Sequence, residues 1–353
     1  MATIADVARA AGVSRTAVSF AFNDARQLAP ATAQRILEVA EALGYYPNAA
    51  ARTLTSKRVG ALGLLTPQRS ATIFANPFFG EFLRGLGEVC DSQGFSLLLV
   101  PPIAGSLRQA VNAAAVDGYV VLGLDRAHDE VGLLARRRIP FVLVDGDPLA
   151  DTLAVNVEDE EGAAAAADHL LAVGHRDVLV LGIQPAEGAT AEGALVSAVA
   201  RRRLRGYTRA FADHGLALAP EAVLSCESTL EGGAAAFSAA WSAGQRPSAV
   251  LAMSDAIALG VLSGVRAAGL QAPDDLEVIG FDDIPAASLS CPALSTVRQP
   301  SSDKGRQAGC LLLMALAGQT PPQFQIVLPT HLVLRGSTRA PGLSPGGGAP
   351  LLE

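Results

Sequence analysis

Two sets of residues in this chain have types and spacing that could do chemistry. The first lies in SRTAVSFAFN, residues 14–23. Ser14 is placed to cap a short amphipathic helix. Arg15, Thr16 and Phe20 then share the face that points away from the helix's own core. An arginine there can pair bidentately with guanine, and a threonine can donate to a base or touch a thymine methyl. The second set is four carboxylates, Asp125, Asp145, Asp255 and Asp282, each at or just beyond the end of an apolar run. Ligands of open α/β sheets gather outside the carboxyl ends of the strands, so these acids are candidate acceptors for a bound molecule. Each can equally cap the helix that follows. No Walker A loop, zinc spacing or nucleophile elbow appears, so no catalytic group, metal or cofactor is expected.

The first set needs a helical head. Thr3 can cap a helix, with Asp6 in place of the usual Glu or Gln of a capping box. Ile4, Val7 and Ala8 fall at helical spacing and Gly12 ends the run. Ala17, Val18 and Ala21 or Phe22 make the inward stripe of the helix after Ser14. A third helix is predicted from Pro30 or Ala31 to Gly44, with Ile36, Leu37, Ala40 and Leu43 on its apolar side. Two short helices joined by a tight turn, with a third in support, form the helix-turn-helix plan. A generic three-helix bundle has the same pattern. Residues 48–56 (NAAARTLTS) read as a linker.

The second set needs a sheet. Apolar runs at 59–66, 95–101, 118–124, 140–145, 177–183, 248–254 and 276–282 alternate with amphipathic helical stretches. Their nearly continuous apolar character predicts parallel strands covered on both faces, a doubly wound α/β architecture long enough for two lobes. The acids Glu158–Glu161 read as a helix start, Arg136–Arg138 as a solvated helix end, Trp241 as core beside Phe237, and His169 and His175 as fold-related.

Charge separates the two parts. Of the formal −7, residues 1–58 carry a net +3 and the rest −10. A basic head on an acidic body predicts an anionic partner for the head alone. Cys90, Cys226, Cys291 and Cys310 are scattered, as expected of reduced thiols in a cytoplasmic protein. Met1 leads into a capped helix pattern, and no apolar run could span a bilayer, so neither a secretion leader nor a membrane partner is expected.

TIADVARAAGVSRTAVSFAFN and RILEVAEALGYYPNAAARTLTSKRVGALGLL resemble the helix-turn-helix and following segment of the LacI/GalR family of bacterial transcription regulators. The Val18-Ser19 pair, Asn23 and the run Leu43-Gly44-Tyr45-Tyr46-Pro47-Asn48 carry the likeness. It continues through the body in ANPFFGEFLRGLGEVCDSQGFSLLLV, RRRLRGYTRAF, AVLAMSDAIALGV and EVIGFDDIP. The resemblance implies a small all-α helix-turn-helix head (1–47), a hinge helix and linker (48–58), and a two-lobed effector-binding and dimerisation domain of periplasmic-binding-protein type (59–340). A disordered Gly/Pro-rich tail (341–353) follows.

On that likeness Arg15 and Thr16 read bases. Phe20 stands where the family often has Arg, so readout there is lost or becomes an apolar contact. Thr3, Ser14, Ser19, Asn23 and Asn48 join the DNA-facing set; for Ser14, Ser19 and Asn23, phosphate positioning and capping both stay open. Leu54 matches the hinge leucine that wedges into the minor groove, and Ala51 the small residue beside it. Arg203 and Asp282 match the charged residues that grip effector hydroxyls, and Phe78 and Phe79 the aromatic lining. Ser254 replaces a frequent Asn, and Asp145 belongs to the same site.

The function implied is a homodimeric repressor of a pseudo-palindromic operator, controlled by a small polar effector. A sugar suits the site; a nucleoside or another small metabolite stays open. The alternative is a solute-binding protein without DNA function, against which the head and the missing leader speak.

Overall fold

The computed structural model describes residues 2–46, 58–126, 128–184 and 197–339, in two compact units, Met1–Gly60 and Ala61–Glu353. The smaller unit holds three helices, α1 (Ile4–Ala11), α2 (Arg15–Asn23) and α3 (Pro30–Ala42). The capping box forms: Asp6 N donates to Thr3 Oγ1 at 3.4 Å and Thr3 N to Asp6 Oδ2 at 3.0 Å. Gly12 ends α1 in the left-handed region, φ 65°, which glycine adopts without a Cβ clash. Ser14 caps α2 by accepting from Ala17 N. Val7, Ala8, Ala11, Val18, Ala21, Ile36 and Ala40 pack together as the core. Leu37 and Leu43, expected on the inward stripe, are instead exposed. The line Ala33, Ile36, Ala40 faces the core and turns Leu37 away from it, while Leu43 lies past the helix end as its C-cap.

The larger unit runs β1 (Ala61–Leu65), α4 (Ser70–Ala75), α5 (Pro77–Gln93), β2 (Ser96–Val100), α6 (Leu107–Ala113), β3 (Gly118–Leu122), α7 (Asp129–Arg136), β4 (Phe141–Val144) and β5 (Ala154–Val157). It continues with α8 (Asp159–Val173), β6 (Val178–Ile183), α9 (Ala198–Asp213), β7 (Val223–Cys226), α10 (Leu230–Ser242), β8 (Ala249–Ala252), α11 (Asp255–Ala267) and β9 (Glu277–Asp282). Last come α12 (Pro285–Leu289), β10 (Ser295–Arg298), α13 (Ser301–Leu316), β11 (Gln325–Leu328) and β12 (His331–Val333).

These elements build two six-stranded sheets, ordered β11-β5-β4-β3-β1-β2 and β12-β10-β9-β8-β6-β7. All neighbours are parallel except β12, which runs antiparallel to β10. The seven apolar runs became the strands β1 to β4, β6, β8 and β9. Five strands gave no such signal: β5 and β10 are four residues long with polar side chains, and β7, β11 and β12 are partly exposed edges.

Each sheet is covered on both faces, as parallel strands require. In the first lobe one face packs the α5 and α13 side chains Phe82, Leu86, Leu311 and Leu312; the other packs Val111 of α6 and Leu134 of α7. In the second lobe α8 and α9 cover one face, and α10 and α11 the other. The α8–α9 contact is close because residue 206 is glycine: a Cβ there would sit 2.2 Å from the Glu160 carbonyl oxygen.

The lobes are joined three times. The chain leaves the first sheet after β5 and returns after β10 for α13 and β11. It then leaves again for β12. The strand ends that carry the acids of interest thus meet at one cleft.

Candidate functional site

The cleft between the lobes has a volume of about 560 Å³, within the range of small-molecule sites, roughly 300–1,000 Å³. Asp145, Arg203, Ser254, Asp282, Phe78 and Phe79 all line it, so one cavity brings together the six residues predicted for an effector. Asp125 lines it as well.

Phe78 and Phe79 open α5. Asn76 caps that helix by accepting from Phe78 N at 3.0 Å, which fixes where the rings emerge. Phe79 is buried in the first lobe's core, so Phe78 offers more of its ring to the cleft. Asp145 follows β4 directly, with φ 58°, a left-handed conformation in which Asp is enriched among non-glycine residues. Both its oxygens accept from Lys304 Nζ, at 2.8 and 2.9 Å.

Asp282 ends β9. Gln299 Nε2 donates to its Oδ1 at 2.5 Å, and Arg203 Nη1 lies 3.8 Å from the same oxygen. Burial pushes its carboxyl up to about 6, against the pull of Arg203, Gln299 and Lys304. Arg203 is itself held tightly. Its Nε donates to Asp159 Oδ1 at 2.9 Å, its Nη1 donates to the Met253 carbonyl, and its guanidinium lies 3.5 Å over the Phe281 ring. Arginine's planar fork allows this division of labour, with one edge spent on the protein and the rest available to a ligand.

Ser254 caps α11 by accepting from Ile257 N, and its hydroxyl is 2.9 Å from that of Ser228. The cap is therefore Ser254, and Asp255, expected to cap, has another place. Asp255 is fully buried, accepting from Thr296 Oγ1 at 2.5 Å and Ile284 N at 2.9 Å. Burial, and then the charge of Asp282, push its carboxyl up to about 8. Unfolded, that group releases its proton near 3.8. Stability present below about pH 4 is therefore lost as pH rises toward 8. Asp255→Asn keeps an acceptor for Ile284 N, and its amide can donate to Thr296. We expect its melting temperature to fall less than that of the wild type between pH 5 and 8. Parallel curves would show that Asp255 is ionised throughout.

Sequence reasoning missed Asp159, Gln299 and Lys304. The sequence reads Asp159 as one of the helix-start acids Glu158–Glu161, yet it is buried and bridges Arg202 and Arg203. Its one sequence signal was the triplet Arg201–Arg203 on the facing helix. The mouth of the cleft also carries contacts between lobes. Arg201 and Arg202 reach Asp147 at 2.6 and 2.7 Å, Arg201 reaches Asp125 at 3.2 Å, and Asn76 Nδ2 donates to Ser228 at 3.2 Å.

In the head, Ser14, Arg15, Thr16, Phe20 and Asn23 are exposed along α2, and Ser19 is half-buried. Asn23 Nδ2 donates to the Ser19 carbonyl at 3.0 Å and lies 3.2 Å from its hydroxyl. Thr3 is occupied as the α1 cap. Asn48, Ala51 and Leu54 lie outside the described residues. Among the described residues no group of acidic, His and Cys side chains could hold a metal, and no helix is long and apolar enough to cross a membrane.

Residues 3–48 match the family described as bacterial regulatory proteins, lacI family, and residues 167–338 match the periplasmic binding protein-like domain. The chain is 30% identical over 351 residues to the HTH-type transcriptional regulator DegA of Bacillus subtilis (strain 168), covering 95% of this chain and 98% of that protein. It is also similar to the transcriptional regulator CelR–cellobiose complex, with TM-score 0.70 and 28% identity over 96% of this chain and all of the other. The lac repressor dimer bound to operator and the anti-inducer ONPF gives TM-score 0.78 and 25% identity over 96% of this chain and 99% of the other. A helix-turn-helix head and a two-lobed body thus match the same kind of protein from end to end. The chain belongs to the lacI family of bacterial regulatory proteins and is a DNA-binding transcription regulator.

Proposed function

We propose that this regulator is a repressor, that it grips a pseudo-palindromic operator as a homodimer in the cytoplasm, and that a sugar-like effector in the cleft controls that grip. The observation that carries the effector reading is the pairing of Arg203 with Asp282 in one cavity, opposite Asp145 and beside Phe78. A donor fork next to a carboxylate suits vicinal hydroxyls, and an aromatic face suits the apolar side of a sugar ring. Cellobiose in the CelR relative supports that class. No nucleophile with a base beside it lines the cavity among the described residues, so binding without turnover fits better than catalysis.

In the head, Arg15 and Thr16 are assigned to base edges, Phe20 to an apolar base contact, and Thr3, Ser14, Ser19, Asn23 and Asn48 to the sugar-phosphate backbone. Leu54 is assigned to the minor-groove wedge, with Ala51 packed beside it.

The test is a salt-dependent gel shift on the protein's own upstream DNA, repeated with a sugar panel that includes cellobiose. Arg15→Ala is expected to cost about 1–3 kcal/mol on the best site and to relax preference at one base position per half-site. Equal weakening on all sequences would make Arg15 a phosphate contact. A cleft that takes up no sugar of the panel would count against the sugar class.

A further inference from the structure

The chain has two lysines, Lys57 and Lys304, and Lys304 is completely buried. It stands in the first turn of α13. Its ammonium donates to both oxygens of Asp145 at 2.8 and 2.9 Å and to Gln299 Oε1 at 2.6 Å, and it lies 4.9 Å from the centre of the Phe78 ring. Gln299 passes the contact on, its Nε2 donating to Asp282 Oδ1. Asp145 and Lys304 belong to the first lobe, Asp282 to the second, and Gln299 to the segment crossing between them.

An enclosed ammonium is costly even when paired, and an apolar side chain of its size would serve stability at least as well. Stability alone therefore gives no reason for a lysine here. Its contacts do: it touches three residues lining the effector cavity, Asp145, Gln299 and Phe78, and reaches Asp282 through a single amide.

We propose that Lys304 is a positioning residue of the effector site. It locks the Asp145 carboxylate in its left-handed backbone setting and, through Gln299, registers it against Asp282 of the opposite lobe. Acceptors from both lobes are then offered to one ligand as a unit. This inference rests on the reading of the cleft as the effector site.

The charged groups acting on Asp282 are Arg203, Lys304 and Asp145, with Asp255 coupled to it from α11. The test uses the full-length protein, labelled with carbon-13 at the aspartate carboxyls and followed by NMR as pH is varied. Lys304→Met is expected to raise the midpoint of Asp282 by about one pH unit or more. Gln299→Leu cuts the relay but leaves the Lys304–Asp145 pair, so Asp282 should move. That variant also decides the matter if Lys304→Met fails to fold. Lys304→Arg keeps the charge and should hold Asp282 near its wild-type midpoint. Asp282 titrating as in the wild type in Gln299→Leu would overturn the proposal, because Lys304 would then hold Asp145 alone. Calorimetry with cellobiose as the probe adds a separate arm. Lys304→Met should weaken binding about tenfold or more and shift its loss to higher pH. A wild type that takes up no cellobiose counts against that sugar as effector, and the carboxyl titration still decides Lys304.

Discussion

In Asp282→Asn, effector binding is expected to fall by about 100-fold or more, while operator binding keeps its wild-type strength. Hydrogen bonds to a charged acceptor contribute roughly 1.5–3 kcal/mol each, and a carboxylate between vicinal hydroxyls accepts two. The substitution keeps the shape of the side chain and one acceptor oxygen for Gln299 Nε2. It orphans no cation, since Arg203 retains Asp159 and Lys304 retains Asp145. The protein should therefore fold, bind DNA and ignore its effector, a permanent repressor.

Wild-type protein should approach the same behaviour in acid. The Asp282 carboxyl, raised to about 6, takes up a proton as pH falls through that value and loses its charge and one acceptor oxygen. Effector affinity is thus lower at pH 5 than at pH 7.5, and the variant loses this dependence. Calorimetry with the sugar selected from the panel, beside a gel shift, reads both effects. Full-strength binding by Asp282→Asn would put the effector elsewhere. Because linkage is reciprocal, operator DNA must weaken effector binding by the factor with which effector weakens DNA binding, typically about 5–150-fold.

Gly206→Ala is expected to be among the most damaging single-methyl changes in the second lobe. The added carbon would stand 2.2 Å from the Glu160 carbonyl and 2.9 Å from Ala163 Cβ, so α9 must move off α8. Overpacking of this kind costs about 1–3 kcal/mol, and a clash with backbone belongs at the upper end. The damage should not stop at stability. Arg203 lies one turn back on α9, and its anchor Asp159 begins α8. Separating the helices loosens the guanidinium, so effector affinity should fall together with the melting temperature. Unchanged affinity in a destabilised Gly206→Ala would show that Arg203 is placed by the Met253 carbonyl and Phe281 alone.

Most strands that sequence made legible are buried on both faces, because burial leaves an uninterrupted apolar run; the half-exposed edge strand β2 was legible because Leu97 to Val100 are all apolar. The edge strands β7, β11 and β12 expose alternate side chains and sit among turns, so their composition matches that of loops. The acids at strand ends were legible for the same reason, being fixed by the runs they follow. Their partners were not. Arg203 meets Asp159 across 44 positions, and Lys304 meets Asp145 across 159. Neither separation leaves a local pattern. Lys304 carries no local signal in SSDKGRQ, and only the packing of α13 against β4 turns it inward. In the head nearly everything is local, so caps, turn and exposed helix face followed from spacing. The exceptions were Leu37, which the core-facing line of α3 turns outward, and Leu43, which falls past the helix end.

The triple crossing between lobes bears on how the protein is made. The first sheet begins at residue 61 but lacks β11 until residue 328, and the α13 side chains that close one of its faces come only at 301–316. The second lobe, by contrast, needs only β12 beyond the run from α8 to β10. On a ribosome, where chains emerge from the N-terminus at about 5–20 residues per second, the lobe begun first therefore stays incomplete while nearly all of the second is made. Strands β1 to β4 wait with apolar side chains uncovered while some 200 further residues are added. The interval is on the order of 10–40 s at those rates. Nascent chains stalled before α13 should be held by chaperones, and those stalled beyond β12 should not.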